Sequence, residues 1–403
     1  MGPLGQDSGV QVLRRPGCPG RGRDRGRPPV NRAGAVLAGF LLLAATSVPG
    51  LAAGQRIVSV NLPFPATHPV AVAGWGRFVK AAEQGGHFAF QLFVDGSLLG
   101  RKRAITGIAH GDAEMGYATL AAHPAGLPHR VTLGRLALAG PDPLAGAAAM
   151  TELVMLHCPA CLKSLAERGI VFLGSHAAGP FHLLSPAPLA RADTLKGARI
   201  ASPGPPWDAL VRRLEGVPEA VEGGLAWALK KEEIDAVLGP VALLAEPALA
   251  RQVRAVTAMH LGVHRVASPF TANLGFWRSL TPEERAVLLE AARQGIAAAM
   301  LAYRAADERA RKAMEEAGTA FSRAHPALVR KAAGFDAGPE TVELRSKGEG
   351  ADALAAVFRR LHDKYSGRFA AAELSVEAVA EILKREIFDR LDSETYGRGP
   401  VEP

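Results

Sequence analysis

The sequence predicts an α/β fold in two lobes spanned by one long helix. Three observations carry this. Residues 56–117 alternate strand, helix, strand, helix, strand, and residues 170–238 repeat an α/β pattern. Thr281–Ala317 then runs as a helix interrupted by nothing stronger than Gly295. At ~1.5 Å per residue that helix would be roughly 54 Å long, too long for either unit alone.

Taken in order, Arg56–Leu62 (RIVSVNL) predicts a buried strand, ended by Pro63 and Pro65. Val70–Gln84 sets Val72, Trp75, Phe78, Val79 and Ala82 at helical spacing, and Gly85-Gly86 closes it. His87–Val94 (HFAFQLFV) alternates and predicts a second strand. Arg101–His110 is an expected helix stopped at Gly111, and Ala113–Tyr117 a third strand; the order predicts a parallel sheet. After a Pro/Gly/Ala-rich stretch at 124–149, a helix is expected over 145–168 with a break at Pro159. Strands follow at Ile170–Gly174, within Leu195–Pro203 and at Ile234–Leu238, with helices at Trp207–Glu215 and Gly224–Lys231.

Thr281, Pro282 and Glu284 form an N-cap, a first-turn proline and a capping box for the long helix, and Gly318 supplies its stop. A coiled coil is the other reading of such length, but the apolar positions are mostly alanine rather than an a/d seam. Residues 319–403 predict further helices at Thr341–Asp363 and Ser375–Leu391 and a polar tail.

The net charge of +8 suggests a polyanion partner until it is located. Residues 1–54 hold seven arginines against Asp7 and Asp24, which leaves 40 basic and 37 acidic residues in the rest. The body is nearly neutral, so no nucleic-acid partner is expected. The apolar run Ala33–Ala45 follows Arg32 and gives way at Pro49 to small residues, the pattern of a secretory signal peptide cleaved near Ala52–Gly54. A membrane anchor is the rival, but a span needs ~20 apolar residues. The Arg-, Gly- and Pro-rich stretch before it is either a solvated basic tail or sequence upstream of the true start, and a leader opening at Val30 is the expectation.

Only Cys158 and Cys161 remain beyond the leader, which contains Cys18. Cys158-Pro159-Ala160-Cys161 has the spacing of a thiol–disulfide redox motif, whose chemistry needs a thiolate at a helix N-terminus just after a strand. Here the preceding residues read as helix, so a structural disulfide or packed thiols is the competing reading, and metal binding with His157 a third. No other nucleophile, phosphate loop or metal-ligand spacing is present, which favours binding over catalysis and implies no cofactor.

Several segments together resemble the solute-binding proteins of TRAP (tripartite ATP-independent periplasmic) transporters. They are His68-Pro69, Phe93–Gly100 (FVDGSLLG), Gly111–Met115 (GDAEM), Asp193–Ile200 (DTLKGARI), Ala228-Leu229 with Ile234-Asp235, and Asn273–Leu280 (NLGFWRSL). The resemblance implies a two-lobed periplasmic binding protein-like fold that closes around a small organic ligand and delivers it to TRAP-type membrane permease subunits. It also implies a periplasmic location and no enzyme activity, with contact to the membrane only through those subunits. Chain crossings are expected near 178 and 266. The expected division is 55–178 plus 267–300 for lobe I, 179–266 plus 301–390 for lobe II, and 391–403 as the tail.

Departures from the family pattern bear on the ligand. The family's carboxylate-clamping arginine, after the Lys-Ile of its Leu-Lys-Gly-x-Lys-Ile-Arg strand, is Ala201 here; a second arginine aligns with Phe181, and the family's Asn before proline is Gly239. A carboxylate without its arginine would be costly to bury. The ligand is therefore expected to be bulkier or more apolar than a C4-dicarboxylate; the rival reading is that another cation reaches the site. His68 on the loop after the first strand, and Tyr117 and Trp207 as aromatic walls, complete the expected ligand set, each with a plain core or loop role as its alternative. Two further readings stay open: a periplasmic thiol–disulfide oxidoreductase using Cys158 and Cys161, and a receptor serving a sensor instead of a permease.

Overall fold

The computed structural model describes residues 11–13 (backbone only), 55–119, 142–204, 207–221, 224–259, 261–263, 267–333 and 351–399. The expected signal peptide and its cleavage site lie outside the described residues, as does the start of the helix expected from Thr341.

Two six-stranded sheets organise the chain. The first has the order β1 (Gln11–Leu13), β3 (Phe88–Phe93), β2 (Arg56–Asn61), β4 (Met115–Thr119), β11 (Ala267–Asn273), β5 (Ile170–Val171). The second runs β12 (Ala320–Arg323), β10 (Ala255–Ala258), β6 (His182–Ser185), β9 (Ala236–Gly239), β7 (Arg199–Ala201), β8 (Val217–Glu219). Neither sheet is parallel throughout, contrary to the sequence expectation. β2 pairs in parallel with β3 and β4, but β11 is antiparallel to β4 and β5. In the second sheet β6 is antiparallel to both β9 and β10. The reversed strands adjoin the segments where the chain crosses between sheets, between β5 and β6 and between β10 and β11. A strand arriving from the other sheet enters against the local direction.

The long helix is Pro282–Glu316. Thr281 Oγ1 accepts from the Glu284 N–H at 3.2 Å, and Glu284 Oε2 accepts from the Thr281 N–H at 2.8 Å, closing the expected capping box. Glu284 Oε1 also accepts from Arg56 Nε at 2.7 Å, so the helix start is tied to the first residue of β2. From Leu288 to Met300 its buried residues pack in the core of the first sheet, while Ala310 and Met314 belong to a separate cluster under the second. No residue from 301 to 309 is buried. Those two and a half turns are where the helix passes from one lobe to the other.

Gly295, the one glycine of the helix, sits where it crosses the turn before Gly76–Glu83. A Cβ there would fall 2.4 Å from Phe270 Cζ and 2.9 Å from the Gly74 carbonyl oxygen. In a free helix Gly→Ala gains about 1 kcal/mol. Here Phe270 is held by stacking on Phe78, with ring centroids 4.7 Å apart, and the carbonyl is backbone, so neither can yield cheaply. Gly295→Ala is expected to lower stability by about 2 kcal/mol, read as a reduced urea midpoint at unchanged slope.

The C-terminal quarter departs most from expectation. β12 is short and half-exposed, with no apolar alternation to reveal it, and the helix Pro326–Ala333 was likewise not anticipated. The helices Ala351–Ala370 and Val376–Glu386, expected with the second lobe, instead bond to elements of the first. Glu152 on the buried helix Pro143–His157 accepts from Lys364 and, at 2.6 Å, from Tyr365 Oη. Arg293 of the long helix donates to the Ala380 carbonyl at 2.9 Å. The supposed polar tail also docks there: Tyr396 Oη donates to Phe172 O at 2.6 Å, and Trp277 Nε1 donates to Tyr396 O at 2.7 Å. An amphipathic pattern shows that a helix has a buried face and is silent about which lobe receives it.

Candidate functional site

Among the described residues, three chain segments join the lobes. Two run side by side: His176 bridges Ala267, Phe181 N–H donates to Gly262 O at 2.9 Å, and Leu261 N–H donates to Phe181 O at 2.9 Å. The third is the middle of the long helix, most of it half-buried. Asp307 on that stretch accepts from the Ala242 N–H at 2.6 Å, which links the helix to the segment following Gly239-Pro240. A joint built from two extended strands and one helix is suited to hinge bending.

Beside this joint five rings pack together. Phe64 and His68, on the loop after β2, stack with centroids 4.0 Å apart, and Tyr117 from β4 meets Phe64 edge-on at 5.0 Å. His176 lies 5.5 Å from Tyr117 and stacks on Tyr303 at 5.3 Å. Tyr303 Oη and His68 Nε2 are 3.1 Å apart, in hydrogen-bonding distance. His68, Tyr117 and Tyr303 are half-buried, whereas Phe64 and His176 are buried. The cluster thus offers aromatic surface together with imidazole and phenol groups, from a loop, a strand, a crossing segment and the helix at once.

The remaining expected residues do not all converge on it. Phe181 and Trp207 stack on each other at 5.1 Å, both buried, and Trp207 Nε1 donates to Leu261 O at 3.0 Å. They share a cluster with Leu183, Ile200 and Leu238 on one face of the second sheet. Ala201 packs with Leu184 and Val237 on the other face, under the helix Leu225–Lys230. Gly239 pairs with His182, and Leu243 covers the position its Cβ would take, at 2.5 Å. Ala201 and Gly239 are therefore floor positions of one face, and Phe181 and Trp207 of the opposite one.

Arg199 is accounted for. Its Nε and Nη2 donate to the Asp235 carboxylate at 3.1 and 2.8 Å, and its own N–H donates to Asp235 Oδ2 at 2.7 Å. The hydrogen bonds from Arg199 hold the Asp235 carboxyl below its usual range. This forked pair occupies the guanidinium that alternation places on the face of Ala201.

Cys158 and Cys161 are joined in a disulfide, with Cys158 capping the helix Pro159–Ala166 through a 3.2 Å bond from the Cys161 N–H. Both residues are only 3% exposed, and the element before them is helix, so the geometry supports a structural link and offers no access to a substrate thiol.

His176 and Tyr303 were not anticipated. For Tyr303 a signal existed: the alanine-rich run of the long helix breaks into Tyr303, Arg304, Asp307 and Glu308, marking where the helix leaves its core. His176 stands alone after a short apolar run, and nothing local distinguishes it.

The model of the bacterial extracellular solute-binding proteins, family 7, matches residues 64–333. The chain belongs to this family. The two sheets, the paired crossings and the spanning helix are thus those of a solute-binding protein. Among solved structures, the receptor is similar to a TRAP periplasmic solute-binding protein from Desulfovibrio salexigens, at 21% identity and TM-score 0.65, covering 79% of this chain and 98% of that one. It is similar to a TRAP solute-binding protein from Bordetella bronchiseptica with bound (R)- and (S)-mandelate, at 18% identity and TM-score 0.66, covering 77% and 100%. A marine-metagenome TRAP protein specific for aromatic acid ligands, in complex with metahydroxyphenylacetate, matches at 18% identity and TM-score 0.67, covering 77% and 99%. At these identities the likeness shows the fold. No curated protein matches the chain.

Proposed function

We propose that the chain is the exported, periplasmic receptor of a TRAP-type transporter, released from its leader by signal cleavage, and that it presents a small organic solute to membrane permease subunits. The observation that carries this reading is the aromatic and imidazole cluster beside the joint: one ligand there would touch the first sheet, a crossing segment and the spanning helix at once. Contacts made only when the lobes approach favour the closed form, and that form is what a permease can read. The protein binds and releases its solute unchanged.

The ligand is a solute with an aromatic or otherwise apolar body, in place of a C4-dicarboxylate. Phe181, Ala201 and Gly239 stand where the family pattern has polar anchors, and Arg199 is committed to Asp235. Phe64 and Tyr117 supply aromatic surface, and His68, His176 and Tyr303 supply hydrogen-bonding heads for one polar group. Structural relatives that bind mandelate and metahydroxyphenylacetate support this class. Lobe I comprises 55–178 and 267–300 together with the C-terminal helices docked on it, and lobe II comprises 179–266 and 301–333.

Native mass spectrometry of the protein from the periplasm of an exporting host tests the reading. One small molecule per chain, released on mild activation, is expected. A chain that carries nothing from any growth medium, and that no organic acid protects against heat, contradicts it.

A further inference from the structure

A cavity of about 410 Å³ lies beside the crossing segment; it shares Tyr303 with the proposed cleft, and none of His68, Tyr117, Phe181, Ala201, Trp207 or Gly239 lines it. Its walls come from Ala177–Pro180, from Met300 and Tyr303 on the long helix, and from Phe369 and Leu374 at the end of the C-terminal helix. That volume suits a small organic molecule.

The polar part of the lining is acidic. Asp307 is set into it: Oδ1 accepts from the Ala242 N–H at 2.6 Å, and a Cβ on Gly179 would fall 1.9 Å from Oδ2, so the carboxylate lies against the crossing backbone. Arg304, which also lines the cavity, is paired with Glu308 at 2.9 Å. Among the described residues Asp307 has no cationic partner, and burial pushes its carboxyl up to about 6. Asp142 adds a second carboxylate, with Oδ1 bonded to the N–H groups of Leu144 and Ala145. The C-terminal end of the helix Ala351–Ala370 contributes partial negative charge at the same wall.

We propose that this cavity is a second binding site, for an organic monoamine whose ammonium meets Asp307 and whose compact apolar body lies against Met300 and Phe369. A buried carboxylate without a counter-ion is costly, and an ammonium at hydrogen-bonding distance removes that cost. The same acids disfavour anions, and among the described residues no three metal-ligating side chains group together. Because its walls include the crossing strand and the spanning helix, occupancy biases the lobe angle, and cleft ligand and amine affect each other's affinity reciprocally.

Calorimetric titration of the full mature chain with benzylamine, and with benzyl alcohol as its neutral isostere, tests this whether or not any cleft solute is known. Expected are saturable 1:1 binding of benzylamine and at least tenfold weaker binding of benzyl alcohol. Affinity is expected to fall about tenfold between pH 8 and pH 5 as Asp307 takes up its proton. Asp307→Asn, which keeps an acceptor for the Ala242 N–H, is expected to weaken benzylamine at least tenfold. Ala370→Phe, at an exposed position on the rim, is expected to do the same by filling the cavity, which keeps the test open should the Asn variant fold poorly. Absence of saturable benzylamine binding, equal binding of the alcohol, or benzylamine affinity unchanged in both variants overturns the proposal.

Discussion

Glu152→Ala is expected to lower the stability of the protein by about 3 kcal/mol, among the largest effects of any single change. Glu152 is 2% exposed on a helix buried on nearly all sides, and its carboxylate is the meeting point of four partners. Tyr365 Oη donates at 2.6 Å, Lys364 donates alongside it, and His157 Nε2 and Arg390 Nη1 lie at 3.3 Å. Removing the acid leaves Tyr365 buried without its acceptor and turns Lys364 onto Glu386 alone, at 3.2 Å. The variant should show a lower urea midpoint, with the C-terminal helices releasing first. A midpoint within about 0.5 kcal/mol of the parent would show that packing alone holds them.

The pH dependence has a definite sign. Burial pushes the Glu152 carboxyl up, but hydrogen bonds from Lys364, Tyr365 and His157 outweigh it and hold the group below its ordinary 4.5. A depressed folded value means that the stabilisation is complete above that ordinary value and is lost as pH falls through the lower, folded one. The gap between parent and Glu152→Ala is therefore expected to narrow on acidification below 4.5.

The second large effect belongs to the proposed cleft. His68→Ala is expected to weaken the bound solute about a hundredfold, because it removes the stack on Phe64, the bond to Tyr303 Oη and a head for the ligand's polar group. Tyr303→Phe keeps the ring on His176 and loses only the hydroxyl, so about a tenfold loss is expected. His68 is half-buried on a loop, and the urea midpoint of either variant should stay close to that of the parent. Equal affinities in parent and both variants would place the ligand elsewhere.

Legibility of the fold followed where the physics was local. The capping box at Thr281 and Glu284, the stop after Glu316, the break at Pro159 and the left-handed turn at Gly111 are each written in a few adjacent residues. The chain passes between the two sheets between β5 and β6 and again between β10 and β11. What sequence could not reveal was which partner each element meets. The reversed strands, the return of the C-terminal helices to the first lobe and the docking of Tyr396 under Phe172 are long-range facts. For the site, the expectation of replaced anchors at positions 181, 201 and 239 came from the family pattern. The grouping of His68 with His176 and Tyr303 depends on a loop, a crossing and a helix that no local pattern relates.

The proposed receptor captures an apolar-bodied ligand without the family's arginine clamp. Calorimetric titration of the ligand-free mature chain with mandelate or metahydroxyphenylacetate, against succinate and malate, tests it most directly. Saturable 1:1 binding of an aromatic monoacid and none of the dicarboxylates is the predicted result. Tight binding of succinate or malate, undisturbed by substitution at Ala201, would contradict it.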